Sequence, residues 1–389
     1  MCINMKEIFN HFDLKIINPS YDSKLTDIVL ELEKLRPGRR ITTRVHPIIF
    51  HQLKQVFHLL ESLGSVRIEG NNTTLSEMVE KTIEGQIEST SEESIKEYEN
   101  NLEALSFIED NVKEGVTINR MIISEFHKII VQKLSVGKEG DRTPGVYRNH
   151  CVRISQSNHQ PPPPEQIQGY MDELFNFIET YSKESKYNLL ATSLVHHRFA
   201  WVHPFGNGNG RVVRLLTYAM LLSTGFSVQG ILNPTAIFCI DRDRYYEMLS
   251  KADSGTEEGL LSWCEYVLSN LKVEITKIEK ILDENYLFNN ILFPALKISL
   301  EKKILTEDEY LVLTRGCQLG EFKAGDVKNR LGKKYPYEIT RILNQLKERN
   351  MIDTLPDSSR KYFVVFTKSL LLRGLIEMLK KESFVPFSD

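Results

Sequence analysis

The sequence lacks any apolar run of the length that crosses a membrane. A spanning helix needs about 20 consecutive apolar residues, and no stretch of the chain provides them. The first residues, Met1 to Lys6, also lack the apolar segment that a secretory signal requires. These absences exclude a membrane-spanning protein, and we expect no membrane partner and a cytoplasmic location.

Excess positive charge and paired cysteines are missing as well. The 389 residues contain 49 Lys and Arg against 52 Asp and Glu, a net charge of −3, which excludes a strongly basic coat for nucleic acid. The cysteines show no metal-site spacing, and their odd number fits a reducing compartment. They are Cys2, Cys151, Cys239, Cys264 and Cys317. With 41% hydrophobic and 26% charged residues, the chain has the composition of a globular protein with room for two or three domains.

A glycine-rich stretch, residues 203–214, lies between two apolar, helix-forming runs at 188–201 and 212–222 and reads HPFGNGNGRVVR. Its glycines lack a Cβ, so that successive backbone N–H groups can converge on one point. The positive end of the following helix favours negative charge at the same place. The stretch therefore predicts an anion-binding loop, whose glycines are Gly206, Gly208 and Gly210.

Side chains with phosphate chemistry flank this loop. Arg211 and Arg214 are three residues apart, which places both near one side of the following helix, and guanidinium groups suit phosphate oxygens. His203 stands at the entrance, before Pro204, and is the candidate general base. A glycine-rich loop alone is a weak signal, but this combination predicts a group-transfer site for a polyphosphate.

The stretch resembles the signature of Fic-domain proteins, His-Pro-Phe-x-Asp/Glu-Gly-Asn-Gly-Arg-x-x-Arg, at every specified position except 207. The resemblance implies a mainly α-helical fold with a Fic-type core and a short β-hairpin flap. It also implies transfer of AMP from ATP to a Tyr, Ser or Thr hydroxyl of a protein, which can be the chain itself. His203 would be the base, and the loop backbone with Asn209, Arg211 and Arg214 would hold the phosphates. Removal of AMP from a protein and transfer of another phosphate group stay open as alternatives.

Asn207 departs from the signature. The family has a carboxylate there, which holds the Mg²⁺ that bridges the nucleotide phosphates, whereas an amide oxygen is a neutral and weaker ligand for a hard cation. The resemblance implies ATP and Mg²⁺, with Asn207 as the nucleotide- and metal-binding residue. The substitution predicts a lower metal affinity and leaves a low-activity regulatory module as a third alternative.

A second motif precedes the loop. Residues 46–63 carry apolar side chains at helical spacing and lead into Ser65-Val66-Arg67-Ile68-Glu69-Gly70. Taken alone, Gly70 is typical of the left-handed residue that ends a helix. The segment also resembles the inhibitory motif Ser/Thr-x-x-x-Glu-Gly/Asn of autoinhibited Fic proteins, at Ser65, Glu69 and Gly70. By that resemblance Glu69 pairs with Arg214 and keeps ATP from a productive pose.

Two further stretches gain a role from the resemblance. Residues 151–154 alternate like a short strand, before a turn and the prolines 161–164, and resemble the flap that docks the backbone of the target. Tyr245 and Tyr246 match a tyrosine pair that lines the adenine pocket. The neighbouring histidines at 196 and 197 have no spaced partner, and we expect them to be structural.

The C-terminal residues have a different pattern. Three helical stretches over 306–349 precede two β-rich segments near 351–355 and 362–367, an order that resembles a winged helix. From 301 to 389 there are 17 Lys and Arg against 13 Asp and Glu, a modest basic bias. We prefer a protein-contact or homodimerising module, with DNA binding as the less favoured reading.

The expected organisation follows from these segments. An N-terminal helical region (1–110) includes the inhibitory helix (46–70), and a Fic catalytic core covers 111–275. Linking helices (276–305) and a winged-helix-like domain (306–389) complete the chain. The expected partner is a target protein with an acceptor hydroxyl.

Overall fold

The computed structural model describes residues 11–36, 44–85, 92–154, 157–181, 185–226, 230–328, 330–331 and 335–387. Helices dominate, as predicted, and the described residues contain one sheet, of two strands. The chain divides into two compact units. We call them the core unit (Met1–Ile41, Glu61–Thr73 and Thr90–Thr276) and the C-terminal unit (Thr42–Leu60, Thr74–Ser89 and Lys277–Asp389).

The core unit is built mainly from helices. They are α1 (Lys24–Lys34), α4 (Glu92–Asn111), α5 (Arg120–Val131), α6 (Pro164–Tyr181), α7 (Asn188–Val202), α8 (Asn209–Ser223), α9 (Ala236–Cys239), α10 (Arg242–Ala252) and most of α11 (Glu257–Leu282). One helix, α2 (Pro47–Ile68), has its first residues in the C-terminal unit and its last turns in the core unit.

Helices α7 and α8 form the centre of the core unit. Nearly every side chain of both is buried, which explains why their sequences are apolar without a polar face. They pack on each other, with α6 against α7 and with α4 and α5 against α8. The loop between α7 and α8 is the glycine-rich stretch, so the fold fixes it from both sides.

The C-terminal unit contains the remaining elements. Its helices are α3 (Leu75–Glu84), α12 (Glu284–Tyr286), a π-helical stretch (Leu287–Leu292), α13 (Phe293–Glu301), α14 (Glu307–Leu319), α15 (Ala324–Lys328), α16 (Pro336–Glu348) and α17 (Leu371–Lys381). Strands β1 (Ile352–Leu355) and β2 (Ser358–Val364) pair antiparallel, with Ile352 opposite Val364. The order α14–α15–α16–β1–β2 is the one that suggested a winged helix, and that assignment stays a prediction.

Helix starts follow the local chemistry of the sequence. Thr306 caps α14 in a capping box with Glu309, and Thr74 caps α3 in the same way with Glu77. Asn119 accepts two backbone N–H groups at the start of α5. None of the helices in the described part of the chain is long and apolar enough to cross a membrane.

One expected element was wrong, and two helices add to what the sequence predicted. Residues 151–154, expected to be a strand, belong to no strand among the described residues, because an alternating sequence needs a partner strand and none is paired with it. Helix α11 runs through to Leu282, past the expected end of the core at residue 275. Helix α17 was not predicted, although Leu371, Leu375 and Leu379 repeat at helical spacing and are buried.

Candidate active site

A cavity of about 380 Å³ in the core unit lies over the loop between α7 and α8. Most of the residues selected from the sequence line it: Glu69, His203, Gly206, Asn207, Gly208, Asn209, Gly210, Arg214, Tyr245 and Tyr246. Ser65, Gly70 and Arg211 are not in its wall. Arg211 is buried behind the loop, and Ser65 is buried one turn before Glu69.

The backbone of the loop has the shape that an anion site needs. Gly208 adopts the left-handed region, with a φ of 72°, and directly precedes α8. The amide of Asn209 closes the turn, because Phe205 N donates to its Oδ1 and its Nδ2 donates to Phe205 O, both at 2.9 Å. A Cβ on Gly206 would approach Asp141 Oδ2 to 2.8 Å. The N-terminus of α8 therefore opens toward the cavity.

The carboxylate of Glu69 occupies this N-terminus. Arg214 Nη2 donates to Glu69 Oε1 at 2.7 Å, and a Cβ on Gly210 would overlap the same carboxylate. Burial raises the pKa of Glu69, but Arg214 and then Arg211 outweigh it, so that the pKa lies below its usual value. Glu69 is therefore ionised at neutral pH and lies against the first turn of α8.

Ser65 and Gly70 place that carboxylate. Arg214 donates from Nε to Ser65 Oγ at 3.0 Å and from Nη2 to Ser65 O at 2.9 Å. Gly70 has a φ of 102°, which turns the chain away after Glu69, as the helix-end interpretation predicted. The structure thus brings together the residues of the second motif and Arg214, and inhibition by this contact stays a prediction.

Buried donors without acceptors mark the anion site. Among the described residues, no hydrogen-bond acceptor meets Arg214 Nη1 or Arg211 Nε. Arg211 Nη1 lies 2.9 Å from Glu97 Oε1 without hydrogen-bond geometry, while Nη2 donates to Glu139 Oε2 at 2.8 Å. A buried donor left unsatisfied costs about 1–3 kcal/mol, so these groups favour a ligand rich in acceptors.

His203 has the protonation state of a base. Its Nδ1 lies 3.3 Å from Ala200 O, and because a carbonyl only accepts, Nδ1 carries the proton and Nε2 keeps its lone pair. Burial lowers the pKa of His203 to about 4, so the ring is neutral at neutral pH. His203 also holds a left-handed backbone conformation, with a φ of 50°, at the end of α7.

Arg148 fixes the backbone around His203, and the sequence analysis gave it no role. It is buried and donates from Nε to His203 O at 2.8 Å, while its backbone N–H donates to Pro204 O at 2.9 Å. Its Nη2 donates to Pro162 O at 2.7 Å. Burial lowers the pKa of Arg148 to about 10. No local pattern distinguishes this arginine, since its acceptors come from distant segments.

His127 supports the other end of the loop, and the sequence analysis gave it no role either. Gly145 N donates to its Nδ1 at 2.8 Å, so Nε2 carries the proton and donates to Asn207 O at 3.1 Å. The ring stacks on Phe205 with centroids 3.8 Å apart. Asp141 accepts from Asn207 N at 3.0 Å. Burial alone would raise the pKa of Asp141, but His127 and backbone N–H groups hold it well below its usual range.

Asn207 does not present a metal ligand here. Gly208 N donates to its Oδ1 at 2.7 Å, and its Nδ2 donates to Lys138 O. The described residues contain no group of three or more His, Cys, Asp or Glu side chains arranged for a metal ion. These side chains do not fit a protein-held Mg²⁺ site on their own.

The tyrosine pair lies at the far wall of the cavity. Tyr246 is partly exposed there, and its OH is 3.4 Å from Ile68 O. Tyr245 is buried, and its hydroxyl lies 2.9 Å from His196 Nε2, while Thr217 Oγ1 lies 2.7 Å from His196 Nδ1. His196 is therefore held by protein partners, as the structural interpretation expected. Further wall residues come from the described positions 152–154, 157 and 159, which belong to no strand.

Comparisons with known proteins agree with this geometry. Residues 117–221 match the model of the Fic/DOC family. The chain is 31% identical over 194 residues to a protein adenylyltransferase Fic of Nematostella vectensis, covering 48% of this chain and 42% of that protein. A protein of the same name from Drosophila willistoni is 24% identical over 264 residues, with 63% and 49% covered. The chain thus matches less than half the length of these relatives.

Two solved structures show the same fold. A Fic family protein of Desulfovibrio desulfuricans superposes with a TM-score of 0.56 at 19% identity, covering 91% of this chain and 98% of that one. Fic-1 of C. elegans (residues 134–508) has a TM-score of 0.51 at 19% identity, with 65% and 71% covered.

Proposed function

We propose that this chain, which matches the Fic/DOC family model over residues 117–221, transfers AMP from ATP to a hydroxyl side chain of a protein. The relatives named protein adenylyltransferases support this activity. The observation that carries it is one cavity that is lined by a neutral His203, the N-terminus of α8 and Arg214, whose Nη1 has no acceptor among the described residues.

The chemistry needs a base and an anion cradle. His203 Nε2 takes the proton of the acceptor hydroxyl while the hydroxyl oxygen forms a bond to the α-phosphorus of ATP. The bond from that phosphorus to the oxygen bridging to the β-phosphate breaks, and pyrophosphate leaves with the electron pair. The loop N–H groups and the arginines stabilise the phosphate charge without rearranging. Because the side chains do not form a metal site, we assign no step to Mg²⁺ and place it on the nucleotide.

Glu69 holds this site in an inactive state in the proposal. Its carboxylate uses the Arg214 donor and the start of α8, which a terminal phosphate of ATP requires. Two anions cannot share these donors, so ATP binds productively only after Glu69 moves. The target protein, self-modification, a cytoplasmic location and a protein-contact role for residues 306–389 belong to the same proposal.

The test uses the Glu69→Gly protein and ATP labelled on either the α- or the γ-phosphate. We expect protein-bound label from α-labelled ATP only, together with release of pyrophosphate. The matched control is Glu69→Gly with His203→Ala, which should lose on the order of 10²–10⁴ in rate because the base is gone, with ATP binding retained.

Other outcomes separate the alternatives. Label from the γ-phosphate would indicate transfer of another group. Removal of AMP from a modified protein, without any labelling, would indicate the reverse function, with Glu69 aligning a water molecule. If no variant carries out either reaction, the result would contradict an enzymatic role and favour a regulatory module.

A further inference from the structure

Asn71 follows the Glu69–Gly70 pair and joins it to helix α4. Its Oδ1 accepts from Thr73 N at 2.9 Å and from Thr73 Oγ1 at 2.6 Å. Its Nδ2 donates to Ser94 O at 3.0 Å and to Glu97 Oε2 at 2.7 Å. The amide therefore uses its acceptor for the local turn and both of its donor hydrogens for α4.

Glu97 connects the same point to the anion site. Its side chain is 4% exposed, and its second oxygen, Oε1, lies 2.9 Å from Arg211 Nη1. One buried carboxylate thus touches both the residue after the second motif and the first arginine of the glycine-rich loop. Burial raises the pKa of Glu97, and Arg211 and Asn71 counteract this. A buried carboxylate is stable only with such partners.

The side chain of Asn71 ties the turn after Glu69 to helix α4. Helix α2 ends at Ile68, and backbone hydrogen bonds close the turn that follows, since Gly70 N donates to Arg67 O and Asn71 N donates to Val66 O, both at 3.1 Å. Asn71 is the next residue with a side-chain contact to another helix. Because only Gly70 separates it from Glu69, losing these side-chain contacts leaves the position of Glu69 to the backbone turn alone.

We propose that Asn71 and Glu97 form a latch that keeps the Glu69 carboxylate on Arg214. The proposal deepens the autoinhibition described above and rests on that function for its activity readout. Asn71 and Glu97 are positioning residues: neither lines the cavity, and in the proposal they set the inhibitory carboxylate relative to the two arginines.

Asn71→Asp tests the latch with minimal change of shape. The aspartate keeps the acceptor for Thr73 but puts a negative charge beside Glu97 Oε2 in place of a donor. We expect about a tenfold rise in self-labelling, as expected for loss of a charge-assisted hydrogen bond. We also expect faster hydrogen exchange at the amides of residues 69–71. In the Glu69→Gly background the same substitution should add nothing, because the restrained carboxylate is absent.

A swapped pair separates the latch from general damage to the fold. In Asn71→Asp combined with Glu97→Gln, the amide and the carboxylate exchange places, and the glutamine introduced on α4 is expected to donate to the new aspartate. Hydrogen exchange and self-labelling should both return toward wild type. Asn111→Asp, an isosteric change of an exposed residue on α4, is the control and should leave both measurements unchanged.

The exchange measurement keeps this proposal distinct from the proposed function. If no variant labels itself, exchange at residues 69–71 still reports the latch. Wild-type exchange rates in Asn71→Asp would overturn the proposal, as would a swapped pair that behaves like Asn71→Asp. An equal rise in labelling with and without Glu69 would also overturn it.

Discussion

Two arginine–glutamate pairs, one in each unit, differ in burial rather than in distance. In the C-terminal unit, Arg373 donates to both oxygens of Glu80, at 2.8 and 2.6 Å, and both side chains are more than a third exposed. In the core unit, Arg214 meets Glu69 through one oxygen at 2.7 Å, and Arg214 is 1% exposed. The exposed pair has the better geometry, yet the buried pair is the one placed in a cavity.

The difference shows what each pair contributes. An exposed ion pair is worth about 0–1 kcal/mol, since water and salt screen it. A buried arginine must be compensated, and Arg214 still has one donor, Nη1, without an acceptor among the described residues. In the proposed function its pair with Glu69 is an exchangeable contact, in which another anion replaces the carboxylate. Four experiments challenge this reading, from the largest expected effect to the smallest.

Loss of the arginines should separate the two pairs most strongly. In the Glu69→Gly background, Arg214→Ala should reduce transfer on the order of 10²–10³-fold, because a preorganised donor to the phosphates is lost. Arg373→Ala in the same background should leave the rate unchanged. Initial rates of labelling with α-labelled ATP measure both, and equal rates for the two variants would remove the distinction between the pairs.

Loss of the glutamates should have opposite consequences at the two sites. Glu69→Gly should raise self-labelling roughly 10- to 100-fold, because a contact of about 1.5–3 kcal/mol no longer competes with ATP. Glu80→Gly costs helix α3 about 1 kcal/mol at most and should not change labelling. If wild type and Glu69→Gly label equally at saturating ATP and Mg²⁺, the carboxylate does not inhibit, and Gly70 remains only a helix end.

Adding a carboxylate to the glycine-rich loop should lower, by a few fold, the Mg²⁺ concentration that transfer requires. Asn207→Asp provides a charged oxygen ligand, so the Mg²⁺ concentration for half-maximal transfer should fall by about two- to fivefold. Asn344→Asp, on the exposed face of α16, is the matched control. Superimposable Mg²⁺ titrations of Asn207→Asp and wild type would mean that the side chain at 207 does not face the metal.

His203, the proposed base, should be neutral in its buried site, and the pH dependence of transfer should show this. Because the pKa of His203 is lowered to about 4, the neutral, competent form persists at neutral and mildly acidic pH. For Glu69→Gly, kcat/KM should stay level from about pH 7.5 to 5.5 and fall only as His203 becomes protonated near its lowered pKa. An acid limb centred near the ordinary histidine value of about 6.5 would show that burial does not shift this group.

Local signals in the sequence predicted local structure well. The glycine-rich turn and the helix end at Gly70 depend on residues within a few positions, so their cause is visible in a short window. The central helices were found because the runs at 188–201 and 212–222 are mostly apolar. Alternation over 151–154 misled, since a strand exists only with a partner, which a short window does not contain.

Candidate site residues could be predicted where they lie close together in the sequence, and not where the fold brings them together from distant segments. His203, Arg211 and Arg214 lie in one stretch, and its motif predicted them. Arg148 and Glu97 act through contacts with distant segments, and burial of their charges is a property of the fold. Only three-dimensional packing distinguishes such residues from the surface charges that they resemble in sequence.

If the proposed function holds, the left-handed backbone of His203 means that this protein gives up stability for its reaction. A residue with a Cβ in that region costs about 1 kcal/mol or more relative to glycine, and His203 lies there with a φ of 50°. Selection for thermal tolerance alone would favour glycine at this position, and the same substitution would remove the base. A screen for stabilised variants that ignores activity would therefore enrich inactive protein at this residue.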